Sequence, residues 1–403
     1  MIRYLEKDFG NVLIYHDVQK KDNIEYIYAV HALTGECIGN KLYMFSIENN
    51  SLCVVNTETG RLDIEYGDRT KSYSQEYLYI RSISYADNIF FISNRNQNIL
   101  KYNVQSNRKE ILYFENEIMD YVPVVYCGIL YLLPMGYSER FIQIEIKTNK
   151  ITYGLTNYKK QLAKKLTNEL FIFGKPELIG EFVYRGSFLE PTIQKMHIRT
   201  GICEYISIKG FGQPIRSITF DGNYFWILSK NDSKIGLWNE KNNNVDFVID
   251  IALETRKKNT LYAYCKYFDG KIYIIEKNSS CILQFDIKNR TLINYDCNNI
   301  HGFKLKKEGG QGFAEEIRVD SEGTLYFFPF WSNGVVAKKI DGSICFYKTE
   351  TDKMLRLAEY DSICNESTQT LKNFCGMSSK LNKKNEGSLK IGRSILKTVL
   401  TRL

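Results

Sequence analysis

The sequence predicts an all-β protein built as a ring of repeated four-stranded sheets, and three observations carry that expectation. Aromatic residues make up 14% of the chain, 29 Tyr, 23 Phe and 3 Trp beside only 6 Pro, and such residues fit pleated, half-buried surfaces. A unit of alternating strands around a Gly or Asp-Asn turn recurs seven times along the 403 residues. Its mean period of about 47 residues is that of a four-stranded blade.

The copies begin GNKLYMFSIENN at Gly39, DNIFFISNRNQN at Asp87, GILYLLPMGYSE at Gly128 and GEFVYRGSFLEP at Gly180. The last three begin GNYFWILSKNDS at Gly222, GKIYIIEKNSSC at Gly270 and GTLYFFPFWSNG at Gly323. A Gly or Asp-Asn at each start suits the positive φ of a tight hairpin turn. The alternating strand that follows gives one set of side chains to each face. A lone blade would leave both faces wet; at about 25 cal/mol per Å2, face-to-face stacking of such aromatic blades is strongly favoured. Radial repetition also protects the sheet edges. Seven copies predict a seven-bladed β-propeller with four-stranded blades, plus a C-terminal amphipathic helical tail.

These copies resemble the broad β-propeller repeat superfamily across residues 27–360. The resemblance is to the generic blade. The Gly-His and Trp-Asp marks of one blade family do not occur, and the double glycines of Kelch repeats do not recur. No family's partners or site residues therefore carry over.

The domain reading is a propeller over 1–360, a polar linker over 361–387 and a basic amphipathic helix over 388–403. Residues 1–26, with the strand-like NVLIYH at 11–16, are placed to complete the seventh blade. TNYKKQLAKKLTNEL at 156–170 has helical character, and its lysines read as a solvated face.

No run of about 18 apolar residues occurs. Glu6, Lys7 and Asp8 stand where a secretory signal needs its apolar stretch. The ten cysteines contain no CxxC pair and several lie in apolar strands, which reads as buried thiols in a reducing compartment. The expectation is a cytoplasmic protein. Net charge is +8, but residues 372–403 hold eight basic residues against Glu386 alone. The body is therefore nearly neutral, so no nucleic-acid partner is expected, and no cofactor or metal site is expected either.

Candidate ligand-binding residues follow from position. Arg81, Arg216 and Arg318 stand six, six and five residues before their turn anchors, on the strands that would line the central channel. Guanidinium groups at a channel mouth would bind a carboxylate or phosphate; the alternative is local pairing of each arginine. Gly310 and Gly312 lie in a glycine-rich loop that could bring backbone N–H groups to a ligand, and His301 lies in the same inter-blade linker. Trp331, Phe330, Arg95, Arg140 and Phe188 fall in middle-hairpin loops as candidate interface anchors. In the tail, Ile391, Ile395, Leu396 and Val399 form an apolar arc, with Lys390, Arg393 and Lys397 opposite.

The functional expectation is a non-catalytic binding or scaffold propeller. It would recognise a protein partner or an anionic ligand on its loop face, with the basic helix as second contact on a partner or a membrane surface. The competing class is a propeller lyase or hydrolase acting on a small polar or glycan substrate at the channel mouth. Catalysis has little to rest on: the four histidines occupy unrelated repeat positions.

Overall fold

The computed structural model describes residues 32–45, 52–65, 79–93, 98–114, 121–136, 140–156, 173–251, 262–276, 279–303, 312–329 and 332–349, with two short strands, Arg3–Tyr4 and Tyr15–His16. The chain divides into two units, residues 27–350, and residues 1–26 with 351–403. In the second of these, Arg3–Tyr4 pairs antiparallel with Tyr15–His16.

Residues 27–350 form a seven-bladed β-propeller. Seven antiparallel sheets each take four consecutive strands of the chain. The first strand of every sheet is innermost, and at six of the junctions it touches the first strand of the next blade. These seven strands are Gly35–Ile38, Tyr79–Tyr85, Tyr121–Tyr126, Glu177–Ile179, Ile215–Phe220, Tyr262–Phe268 and Phe313–Val319. The seventh blade, which the sequence reading completed with residues 1–26, takes all four of its strands from within residues 313–348.

Every repeat anchor falls in the turn between the first and second strands of its blade. Gly39 has φ 59° and Gly222 φ 102°, and beside Asp87 the left-handed residue is Ala86 at φ 50°. The turn between the third and fourth strands needs the same conformation and obtains it from Asn107, Asn149 and Asn243 in blades two, three and five. Asparagine tolerates that region better than other side chains because its short amide bonds locally.

Between blades lie seven apolar clusters, one for each interface. Trp226 of blade five packs on Phe285 of blade six, with ring centroids 5.6 Å apart, and both are essentially buried. Polar latches supplement these clusters at the outer turns. Lys101 of blade two donates to the Ile146 carbonyl (2.9 Å) and to Asn149 Oδ1 (2.7 Å) of blade three. Asn149 returns a bond to Glu110 at 2.9 Å.

The described cysteines are free thiols. Burial, offset in part by its hydrogen bond with Ser217, pushes the Cys265 thiol up to about 12. Burial likewise raises Cys297, while Cys127 lies exposed at a turn. Since the thiolate is the nucleophile, alkylation of the folded protein at pH 8 should modify Cys127 within minutes and Cys265 only on unfolding. Peptide mapping checks this; labelling of Cys265 at the rate of Cys127 would contradict the buried assignment.

Candidate functional site: a braced channel and an apolar rim

Charged side chains on or beside the innermost strands pair with one another across blades. Glu36 of blade one, Glu316 of blade seven and Glu177 of blade four line the axis, opposed by Arg318, Lys175 and Lys266. Arg318 Nη2 reaches Glu36 at 2.9 Å and also bonds Glu316. Lys175, just ahead of the innermost strand of blade four, crosses to Glu316 of blade seven at 3.4 Å. Lys266 of blade six meets both Glu177 oxygens, at 3.1 and 3.2 Å. Ser82 and Ser84 of blade two each donate to Glu36 at 2.8 Å. Three carboxylates thus face three cations, and blades one, two, four, six and seven are tied across the axis.

The two carboxylates on Arg318 sit in unlike surroundings. Burial raises Glu36 above the usual carboxylate range, and Arg318 only partly offsets this. Burial acts on Glu316 as well, but Arg318 and Lys175 together outweigh it and hold that group below the ordinary value. Burial also raises Glu177 against the pull of Lys266. Chemically the arrangement is a self-neutralising brace.

The three candidate arginines take three separate sets of partners. Arg81 is buried and donates to the Tyr121 carbonyl at 3.0 Å and to Met135 Sδ. Arg216 lies 4.9 Å over the Phe188 ring and bonds the Ala263 carbonyl. Arg318 belongs to the brace. Phe188, read from the sequence as an interface anchor, is a core ring of blade four covered by Arg216 and Lys230. A Cβ on Gly312 would stand 1.8 Å from the Ser279 carbonyl, so this glycine serves a close approach of two backbones. His301 is exposed in a turn, and Arg140 is exposed at the start of a strand in blade three. Gly310, Arg95, Phe330, Trp331 and the tail residues Lys390, Ile391, Arg393, Ile395, Leu396, Lys397 and Val399 lie outside the described residues.

A feature of the outer rim escaped the sequence reading. Leu155, ending the outermost strand of blade three, is 64% exposed, and Ile202, in the outer turn of blade four, is 62% exposed. They are neighbours: a Cβ on Gly201 would stand 2.2 Å from the Leu155 carbonyl. Tyr153 of blade three and, on the outermost strand of blade two, Ile111 and Tyr113 are also exposed. The available signal was weak: ITYGL keeps Ile151, Tyr153 and Leu155 on one phase and Thr152 and Gly154 on the other, an ordinary alternation that does not show which phase is exposed.

Fold and channel together define a β-propeller whose innermost strands are linked by ion pairs among their own side chains. No family model matches the sequence, and no curated protein matches it. Among solved structures the chain is similar to streptogramin B lyase, at 12% identity and TM-score 0.55, over 79% of this chain and 93% of that one. It is also similar to a catalytically inactive virginiamycin B lyase from Staphylococcus aureus with quinupristin, at 13% identity and TM-score 0.55, over 78% of this chain and 96% of that one. At such identities the likeness is one of fold.

Proposed function

We propose that this chain is a non-catalytic binding propeller whose protein partner docks on the outer rim of blades two to four. The observation that carries this reading is the set of exposed apolar side chains on the outer strands and turns of blades two to four: Leu155 and Ile202, exposed at 64% and 62%, with Tyr153, Ile111 and Tyr113. Single exposed apolar residues are ordinary on a protein surface, whereas a concentration of them on neighbouring outer elements points to an interaction surface. Tyrosines beside aliphatic side chains are also what interface centres use. The channel supports the same reading from the other side, because its charged groups are engaged with one another.

The test compares crosslinked capture by the full chain with capture by the double variant Leu155→Glu, Ile202→Glu. Both positions are exposed, so circular dichroism and the melting midpoint should be unchanged. Burying each aliphatic side chain contributes about 1.5–3 kcal/mol, so the variant should lose more than about tenfold of the captured partner. Equal capture by both forms refutes the rim as the docking surface. Absence of any protein from both, together with turnover of a small polar metabolite, would put a propeller lyase or hydrolase in place of this reading.

A further inference from the structure

One repeat position separates blade seven from the other six. In the third strand of each blade, the last residue facing the preceding blade pairs with a buried apolar residue of the second strand. Six blades place Val55, Tyr102, Ile144, Met196, Trp238 and Phe285 there, each 3% exposed or less. Blade seven places Lys338, paired with Leu325 and only 6% exposed. Lysine is almost never buried without a partner. Among the described residues Lys338 makes no ion pair or hydrogen bond; its Nζ lies 5.4 Å from the centre of the Tyr295 ring of blade six.

The same side chain lines a cleft of about 250 Å3 between blades six and seven. Its walls include Lys271, Tyr273, Gln284 and Tyr295 of blade six and Gly342 of the outer turn of blade seven. Gly342 leaves room over the ammonium, since a Cβ there would come within 3.7 Å of Lys338 Nζ. Two carboxylates, Asp269 and Asp341, also line the cleft, and neither is in ion-pair contact with Lys338. Asp269 pairs with Lys271 at 3.9 Å, and Asp341 Oδ1 accepts the Ser343 N–H at 2.8 Å. Gln284 Oε1 accepts the Tyr295 hydroxyl at 3.3 Å, which leaves its amide N–H groups to the cleft.

We propose that this cleft binds a small oxyanion, a phosphate monoester or a carboxylate, with Lys338 as the charge partner, Lys271 as second cation and the Gln284 amide as donor. The two tyrosine rings form an apolar wall for the body of the ligand. A buried cation without an anion is costly, and an anion entering a low-dielectric cleft recovers that cost. Burial first, and then the neighbouring Lys271 ammonium, hold Lys338 below the ordinary lysine range, with Asp341 offsetting part of the effect.

The test titrates the full chain with inorganic phosphate in one arm and succinate in the other, following the melting midpoint. Ligand that binds only the folded state raises it. The expected result is a dose-dependent rise in one arm, with apparent affinity falling on the order of 30-fold in Lys338→Met. Methionine fits, since blade four carries Met196 at this position, and the unliganded Lys338→Met should melt no lower than the parent. Lys271→Gln, at a half-exposed site, should weaken the same arm without disturbing the fold. The arm that responds distinguishes phosphate from carboxylate. An equal rise in parent and Lys338→Met, or no rise in either arm, overturns the proposal.

Discussion

Replacing Arg318 with methionine is expected to lower the unfolding free energy by about 3–5 kcal/mol, the largest loss expected from any single polar substitution in the ring. The guanidinium holds two carboxylates, Glu36 and Glu316, that are each only 6% exposed. Removing it leaves one of them with serines alone and the other with Lys175 at 3.4 Å. The cost comes from buried charge left behind, so the triple change Glu36→Gln, Glu316→Gln, Arg318→Met should recover most of it. Urea denaturation of the three proteins measures both numbers. A triple variant as unstable as Arg318→Met would show that shape rather than charge is at stake.

The same substitution has a pH signature. Glu316, held below the ordinary value in the parent, contributes stability above the unfolded carboxylate range that is lost as pH falls through its folded value. Glu36, raised by burial, has the opposite sign: the folded chain takes up its proton first as pH falls. Without Arg318 both groups move up, and the penalty of ionising them disappears as pH falls through the raised values. The gap between parent and Arg318→Met should therefore narrow from pH 8 toward pH 5, and a constant gap would contradict the assignment.

The ring was readable from the sequence because its turns demand unusual residues at a fixed interval. Gly39, Gly128 and Gly270 each sit at a positive-φ turn between an innermost strand and the next, which only a few residue types accept. The arginines show where such reading stops. Equal spacing from an anchor implies equal direction only if turns are equal and strands regular, and neither holds. The first turns of blades five and seven are longer than the two-residue turns of blades two and three. Pairing also slips between Tyr79 and Arg81, Ile215 and Ser217, and Phe313 and Ile317. In blade five the slip leaves Arg216 itself without a paired residue on the partner strand, whereas Arg81 and Arg318 stand opposite Ile92 and Tyr326, so three arginines at matching offsets meet three sets of partners. Lys338 was in plain sight in GVVAKKI, yet its oddity appears only once strand register aligns it with Trp238 and Phe285.

Truncating Phe328 to alanine is expected to cost about 3–5 kcal/mol and to open the ring at one place. Six of the seven interfaces join consecutive blades, so the chain itself tethers their two sides. The interface between blades seven and one has no such tether within residues 27–350, and because every blade takes its own four strands, no shared strand closes it. Besides the Arg318–Glu36 ion pair at the axis, apolar packing holds that seam: Phe328, Tyr326 and Val335 against Leu42, Met44 and Val55. Gly35 permits the fit, because a Cβ there would stand 2.9 Å from the Phe328 ring and 2.8 Å from Met44. Phe285→Ala removes an equally buried ring between blades five and six, where the linker keeps the two sides at high effective concentration. Native-state hydrogen exchange separates the two cases. In Phe328→Ala, protection should fall first and together in Gly35–Ile38 and Phe313–Val319, at a free energy well below global unfolding. In Phe285→Ala the same strands should keep their protection until the whole ring unfolds. Loss of protection confined to the mutated blade in both variants would mean that the seam is no weaker than the tethered interfaces, and that propeller closure here draws nothing from chain connectivity.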